Sequence, residues 1–272
     1  MIPKFDLHTH TVFCDGKNTP EEMVSAAIEK KFDILGISGH SYTSFDGDFC
    51  MSEDGTKRYI EEISRLKQKY RGKINLYLGC ERDYFSDEDR FEYDYVIGSV
   101  HYVKRGGEYL SVDDTAEKMC RAVEEYYGGS YFEYARDYFE LAADCPKKTN
   151  ADIIGHFDLV TKFNEGNRFF DEDSARYKSI AIEAAEAALR YGKPFEVNVG
   201  AIYRSYKTEP YPNGFLLDFI RENDGAVTVS GDCHSCAALG FRFDETLEYL
   251  KAKGFETVAV FDGNSFKECK ID

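Results

Sequence analysis

Asp6-Leu7-His8-Thr9-His10 closes the first apolar run of this chain, and four later runs close in the same way. They read Ile37-Ser38-Gly39-His40, Gly98-Ser99-Val100-His101, Ile153-Ile154-Gly155-His156 and Ser230-Gly231-Asp232-Cys233-His234. These five motifs hold all six histidines of the 272 residues. A further apolar run, 74–80, delivers Glu81 to the equivalent place. Histidines scattered by packing would also fall on helices and in solvent loops, and none does here. Imidazoles and carboxylates gathered at the carboxyl ends of successive strands are what a metal centre at a barrel mouth requires. The pattern predicts a metalloenzyme.

Residues two apart on a strand point to the same face, so His8 and His10 form a pincer, and Asp232 with His234 repeats it. Asp15-Gly16 follows in a turn that can return a carboxylate to the same place. Imidazole combined with carboxylate suits zinc, manganese or iron.

Working outward, strand-like and helix-like stretches alternate along the whole chain. Strands are predicted at 5–7, 34–37, 74–78, 95–100, 152–154, 195–199 and 226–229, with a last apolar run at 257–261. Helices are predicted at 20–31, 57–70, 115–127, 131–144, 174–191, 215–222 and 244–253. Two begin with capping boxes, Thr19 with Glu22 and Ser130 with Glu133. Repeated strand–helix units with near-continuous apolar strands imply a parallel sheet covered by helices. Eight candidate strands point to a closed α/β barrel. No linker or repeat divides the sequence, so one domain over residues 1–272 is expected.

Lys and Arg number 34 and Asp and Glu 50, a net charge of −16. Such a field repels long nucleic acid and anionic membrane. A phosphate ester would be repelled too, unless a local cluster of cations overrides it, and divalent metals would supply that cluster. No run approaches the roughly 20 apolar residues of a membrane span. The opening residues lack the charged and apolar regions of a signal peptide, so a cytoplasmic protein is expected. The eight cysteines are irregularly spaced, and Cys233-x-x-Cys236 has no second pair, so reduced thiols are expected.

The motifs resemble the PHP (polymerase and histidinol phosphatase) family of metal-dependent phosphoesterases. The likeness rests on Asp-Leu-His8-Thr-His10 with Cys14-Asp15-Gly16, Gly36-Ile-Ser-Gly-His40-Ser41, Gly79-Cys-Glu81, Gly98-Ser-Val-His101-Tyr102, Gly155-His156-Phe-Asp-Leu-Val160 and Gly231-Asp-Cys-His234. It implies a distorted (β/α)7 barrel, TIM-barrel-like, with the run at 257–261 left outside. It also implies three divalent ions. One would be held by His8, His10, Glu81 and Asp232, a second by Asp15, His40 and His234, and a third by Glu81, His101 and His156. Glu81 would bridge two of them. Ser38-Gly39 departs from the family's Thr-Asp, and Cys14 and Cys233 replace small residues beside the expected ligands.

Within the family the chain is most similar to histidinol-phosphate phosphatases. Tyr134-Ala-Arg-Asp-Tyr-Phe-Glu-Leu141, Gly155-His-Phe-Asp-Leu-Val-Thr-Lys-Phe163 and Phe195-Glu-Val-Asn198 followed by Arg204 carry that closer likeness. The implied reaction is hydrolysis of L-histidinol phosphate to L-histidinol and phosphate, by a hydroxide bridging two metals. The alternative is a PHP phosphoesterase acting on nucleotides or short oligonucleotides. A metallo-amidohydrolase barrel also opens with His-x-His, but its carbamylated lysine has no counterpart here, where His101 stands. A non-catalytic metal-binding module ranks lowest, because the ligand set is complete.

Arg204 and Lys162 lie just past strand ends and are expected to hold phosphate, Arg204 touching substrate only. The leaving oxygen needs a proton, expected from a metal-bound water, with Asp158 and Asp83 next in line. Lys104 and Arg105 are expected on a mobile lid, and Tyr42, Tyr84 and Tyr102 as pocket walls.

Overall fold

The computed structural model describes residues 2–87 and 91–271. The single-domain expectation also covers Met1, 88–90 and Asp272, which lie outside the described residues. In chain order the elements are β1 (Phe5–Asp6), α1 (Pro20–Glu29), β2 (Ile34–Ile37), α2 (Glu53–Lys69), β3 (Asn75–Asp83) and β4 (Tyr95–Ser99). The strands β5 (Tyr102–Arg105) and β6 (Glu108–Ser111) follow, then α3 (Ala116–Tyr127), α4 (Tyr131–Lys148) and β7 (Ile153–Ile154). The chain continues through α5 (Ala175–Leu189), β8 (Phe195–Asn198), α6 (Gly200–Tyr203), α7 (Gly214–Glu222) and β9 (Val227–Ser230). It ends with α8 (Phe243–Ala252), β10 (Thr257–Phe261) and β11 (Phe266–Lys270).

Strands buried on both faces pair in parallel in the order β1-β2-β3-β4-β7-β8-β9, and the helices between them cover the outside. The ends of this sheet meet at one bridge, Thr9 with Cys233. There the His10 amide donates to the Cys233 carbonyl at 2.8 Å, and the Cys233 amide to the His8 carbonyl at 3.0 Å. Nearer the chain start no ladder joins β1 to β9. The buried Asp6 carboxylate spans that gap, accepting the Gly231 amide at 3.1 Å. The result is a nearly closed seven-stranded barrel. The last apolar run, β10, lies outside the barrel as the resemblance implied, and pairs antiparallel with β11.

Tyr95 shows how tightly this small barrel is filled. Its buried hydroxyl donates to the Leu7 carbonyl, under β2 and β3. A Cβ at Gly36 would lie 2.0 Å from that hydroxyl oxygen, and one at Gly79 2.3 Å from the ring carbon bearing it. Only glycine leaves the ring its place.

Several elements differ from the sequence expectation, among them α2, α4 and the segment after His101. Helix α2 begins at Glu53 rather than residue 57, because Ser52 caps it by accepting the Gly55 amide at 3.0 Å. Helix α4 continues past residue 144 through Pro146 to Lys148, held by the burial of Cys145 and Pro146; packing overrides propensity there. The glycines after Arg105 are the turn of the β5–β6 hairpin, which stands beside the barrel mouth.

Candidate metal centre

The short strands bring their terminal residues to one end of the barrel, and the side chains meet there. Glu81, near the end of β3, is 1% exposed and lies between five imidazoles. Its Oε2 is 3.1 Å from His8 Nε2, 3.4 Å from His10 Nε2 and 3.0 Å from His40 Nδ1. Its Oε1 is 3.2 Å from His101 Nε2 and 2.9 Å from His156 Nε2. Asp232 Oδ1 lies 3.8 Å from His8 Nε2 and 3.4 Å from His10 Nε2. Asp15 reaches back from its turn to place Oδ1 3.5 Å from His10 Nδ1 and Oδ2 2.9 Å from His234 Nε2. All nine residues singled out in the sequence are therefore together.

Donor atoms of eight of them form three compact groups: His10, Asp15, His40 and His234; His8, His10 and Asp232; and His40, Glu81 and His101, with His156 beside Glu81. Within each group the atoms lie within 4.8 Å of one another. The division differs from the one implied by the resemblance, since His10 and His40 each belong to two groups. Buried His8 Nε2, His10 Nε2, Asp15 Oδ1 and Glu81 Oε2 have no hydrogen-bond partner. Buried polar atoms left unpaired cost free energy, and lone pairs aimed at a common space are what a divalent ion satisfies. The donor set fits divalent metal.

The side chains polarise one another strongly. Burial alone would raise the Glu81 carboxyl, yet His8, His40 and His101 hold it well below the usual range. Burial likewise opposes ionisation of Asp232, and the Arg204 guanidinium with His8 outweighs it. His10 is pushed down to about 3 by burial and by His234 and His40, so its ring is neutral and able to ligate.

Two carboxylates lie beneath the histidines: Glu196, given no role by the sequence reading, and Asp83, expected there only as a candidate proton donor. Glu196 on β8 sits against His8 Nδ1, and Asp83 at the end of β3 lies 3.3 Å from His101 Nδ1. Asp83 also accepts the His101 amide at 2.9 Å and the Phe85 amide at 2.7 Å. It faces the cavity with its oxygens taken up as acceptors, a poor arrangement for a general acid. Asp158 is excluded from that role more firmly. It is 0% exposed, accepts the Asn213 amide at 3.0 Å and does not line the cavity.

The centre opens into a cavity of about 210 Å³, a small-ligand space rather than a groove for a polymer. Arg204 and Lys162 both line it, alongside Asp46, Asp113, Asp114, Phe49, Tyr102 and Tyr206. Arg204 follows α6, a short helix the sequence did not reveal. Its Nη2 pairs with Asp232 Oδ2 at 2.8 Å, and Nη1 donates to the Asp232 carbonyl at 3.1 Å. The expectation that Arg204 touches substrate only is thus corrected, because it also braces a centre carboxylate. Lys162 is steered by Asp113, whose carbonyl accepts its ammonium at 2.6 Å.

Of the three expected wall tyrosines, Tyr102 lines the cavity, while Tyr84 donates to Asp144 and Tyr42 is not among the lining residues. Lys104 and Arg105 are not lid residues facing the centre. They stand on the hairpin, bonded to Tyr109 and Asp137. All eight cysteines are free thiols. Cys14 lies 3.5 Å from His10 Nδ1, but burial and then Asp15 push its thiol up to about 12, so it stays protonated. The Cys233 thiol turns to Asp6 and that of Cys236 to Met23, so the pair does not act as a unit.

The chain is similar to known proteins over nearly its whole length. The PHP domain pattern matches residues 6–200. A Deinococcus radiodurans protein named "Probable histidinol-phosphatase" is 28% identical, over 93% of this chain and 95% of its own length. The histidinol-phosphatase of Bacillus subtilis is 26% identical, over 91% and 99%. The fold recurs in the crystal structure of histidinol phosphate phosphatase from Lactococcus lactis, complexed with zinc, L-histidinol and phosphate. That likeness has a TM-score of 0.68 at 22% identity and covers 98% of this chain and all of that one. A seven-stranded barrel with six histidines and three carboxylates at its mouth, matched over more than two-thirds of its length, places the chain in the PHP domain family.

Proposed function

We propose that the chain, as one catalytic unit over residues 1–272, hydrolyses L-histidinol phosphate to L-histidinol and phosphate with divalent metal as cofactor. The observation that carries this reading is a convergent set of buried and half-buried metal donors, with His156 beside Glu81, next to a cavity lined by both cationic and acidic side chains. The named relatives are histidinol-phosphatases across nearly their whole length, which supports the same substrate. We take the cofactor as three ions of zinc, manganese or iron. They would be held by His8, His10, Glu81 and Asp232, by Asp15, His40 and His234, and by Glu81, His101 and His156. A cytoplasmic location suits such a small-metabolite enzyme, and no described helix is long and apolar enough to cross a membrane.

Bound, the ions supply positive charge for the phosphate oxygens and make water acidic enough to attack phosphorus near neutral pH. The protein's part is orientation. Arg204 presents a planar donor fork suited to phosphate oxygens, held in place by Asp232. Lys162 adds a second cation, fixed by Asp113. Asp46 and Asp114, with the faces of Tyr102 and Tyr206, offer the opposite charge and aromatic surface to a cationic, imidazole-bearing leaving group. With Asp158 turned away and Asp83 committed to His101, a water in the cavity is the proton donor for the leaving oxygen.

The test is phosphate release from L-histidinol phosphate beside a nucleotide panel, with metal content measured on the same sample. Histidinol phosphate is expected to lead. Nucleotides ahead by tenfold in kcat/KM, about 1.4 kcal/mol of transition-state preference, would move the assignment to a nucleotide phosphoesterase.

A further inference from the structure

We infer that Glu196 is a positioning residue of the metal centre: its carboxylate holds His8 as the Nδ1–H tautomer and thereby aims the Nε2 lone pair inward. The inference rests on the metal-dependent reading above and goes beyond its ligand set. Glu196 lies in the middle of β8, 1% exposed, beneath a histidine 188 residues away. Four groups converge on its two oxygens. Oε1 meets His8 Nδ1 and the Ser230 hydroxyl, the latter at 2.5 Å. Oε2 accepts the His156 backbone amide at 2.7 Å and the Asn198 side-chain amide at 3.1 Å.

The orientation of that Asn198 amide is fixed independently. Its Oδ1 accepts the Gly200 backbone N–H at 2.8 Å, so its NH2 must be the group facing Glu196. Its oxygens already face two N–H donors and the Ser230 hydroxyl, so the carboxylate meets the ring as an acceptor and Nδ1 carries the proton. In the neutral ring the lone pair is then on Nε2, the nitrogen turned toward the centre. That Nε2 is buried, lacks a hydrogen-bond partner, and lies 3.1 Å from Glu81 Oε2. One side chain thus sets the ring of His8 and, through the backbone, the position of His156. A carboxylate behind a ligating imidazole fixes its tautomer and strengthens it as a donor.

The consequence can be read without measuring turnover. In zinc-loaded, 15N-histidine-labelled protein, His8 should show a far-downfield, slowly exchanging Nδ1–H. In Glu196→Gln the amide oxygen is a weaker acceptor, and its NH2 faces other donors. That resonance should move upfield, and the zinc dissociation constant by chelator competition should rise about 10–100-fold. A cooperative melt separates this from unfolding, which a purely structural role would produce. If the variant does not fold, the wild-type ring proton alone decides. A zinc-loaded wild type whose His8 carries no Nδ1 proton overturns the inference, as does a folded variant with zinc affinity within twofold of wild type. A wild type that retains no divalent metal would instead defeat the metal reading, and the His8 tautomer in that metal-free chain would still test Glu196.

Discussion

At the scale of single residues, Glu81 carries the most contacts to the centre, with one oxygen or the other close to five imidazoles. Glu81→Ala should lower bound metal and cut turnover by more than about 100-fold, the upper range for losing an outer partner of a metal site; elemental analysis and phosphate release check it. Arg204→Ala should reduce kcat/KM by about 10–100-fold, the worth of a charge-assisted hydrogen bond. Because Arg204 also braces Asp232, metal affinity should fall with it. Unchanged metal binding would show that the brace is dispensable. Asp158 makes a pH prediction. Burial raises its carboxyl from 3.8 to about 7, with Lys207 and the Asn213 amide pulling the other way. The folded state therefore binds the proton more tightly, and stability is fully present below pH 3.8 and lost as pH rises through 7. Asp158→Asn should flatten that fall, on the order of a few kcal/mol, in chemical denaturation of metal-loaded protein at stepped pH. Eight of the nine donors were legible because they close apolar runs at strand ends, and Asp15 because its turn follows the first of them. Glu196 and the bracing role of Asp83 were not, since an acidic residue inside a strand reads equally well as an outward-facing position.

At the scale of elements, the seven barrel strands were legible from their apolar runs, and most helices from their caps. The β5–β6 hairpin was readable in principle: Tyr-Val-Lys-Arg and Glu-Tyr-Leu-Ser flank Gly106-Gly107, a two-residue turn signal. It passed as a loop because its strands carry too few apolar residues to alternate clearly. Helix α6 has four residues and no side-chain cap, so nothing in the sequence marks it. The closeness of strands around Tyr95 was also hidden, because a glycine in a strand does not say what approaches it. Gly79→Ala should therefore destabilise the fold by about 1–3 kcal/mol through overpacking. Urea denaturation measures this, and Tyr95→Leu in the same chain should recover part of the loss. An unchanged midpoint for Gly79→Ala would mean the ring shifts freely.

At the scale of the whole molecule, metal and fold should be coupled. Ions that bind only the folded chain add about 1.4 kcal/mol for each tenfold excess over their dissociation constant. For a chain near this length each kcal/mol moves Tm by about 2–4 °C. Chelation should abolish activity and lower Tm, and a divalent ion alone should restore both. Equal melting with and without chelator would contradict the coupling. The barrel's closure at Thr9–Cys233 has a further result for how the protein is made. His8, His10 and Asp15 leave the ribosome more than 200 residues before Asp232 and His234. A nascent chain ending before β9 lacks two of the nine donors, Asp232 and His234, and has an open sheet edge, so it can neither complete the metal centre nor hide that edge. Productive metal loading is thus deferred until β9 and the residues after it have been made, and chains terminated before that point are left exposed to quality control rather than released as partly active enzyme.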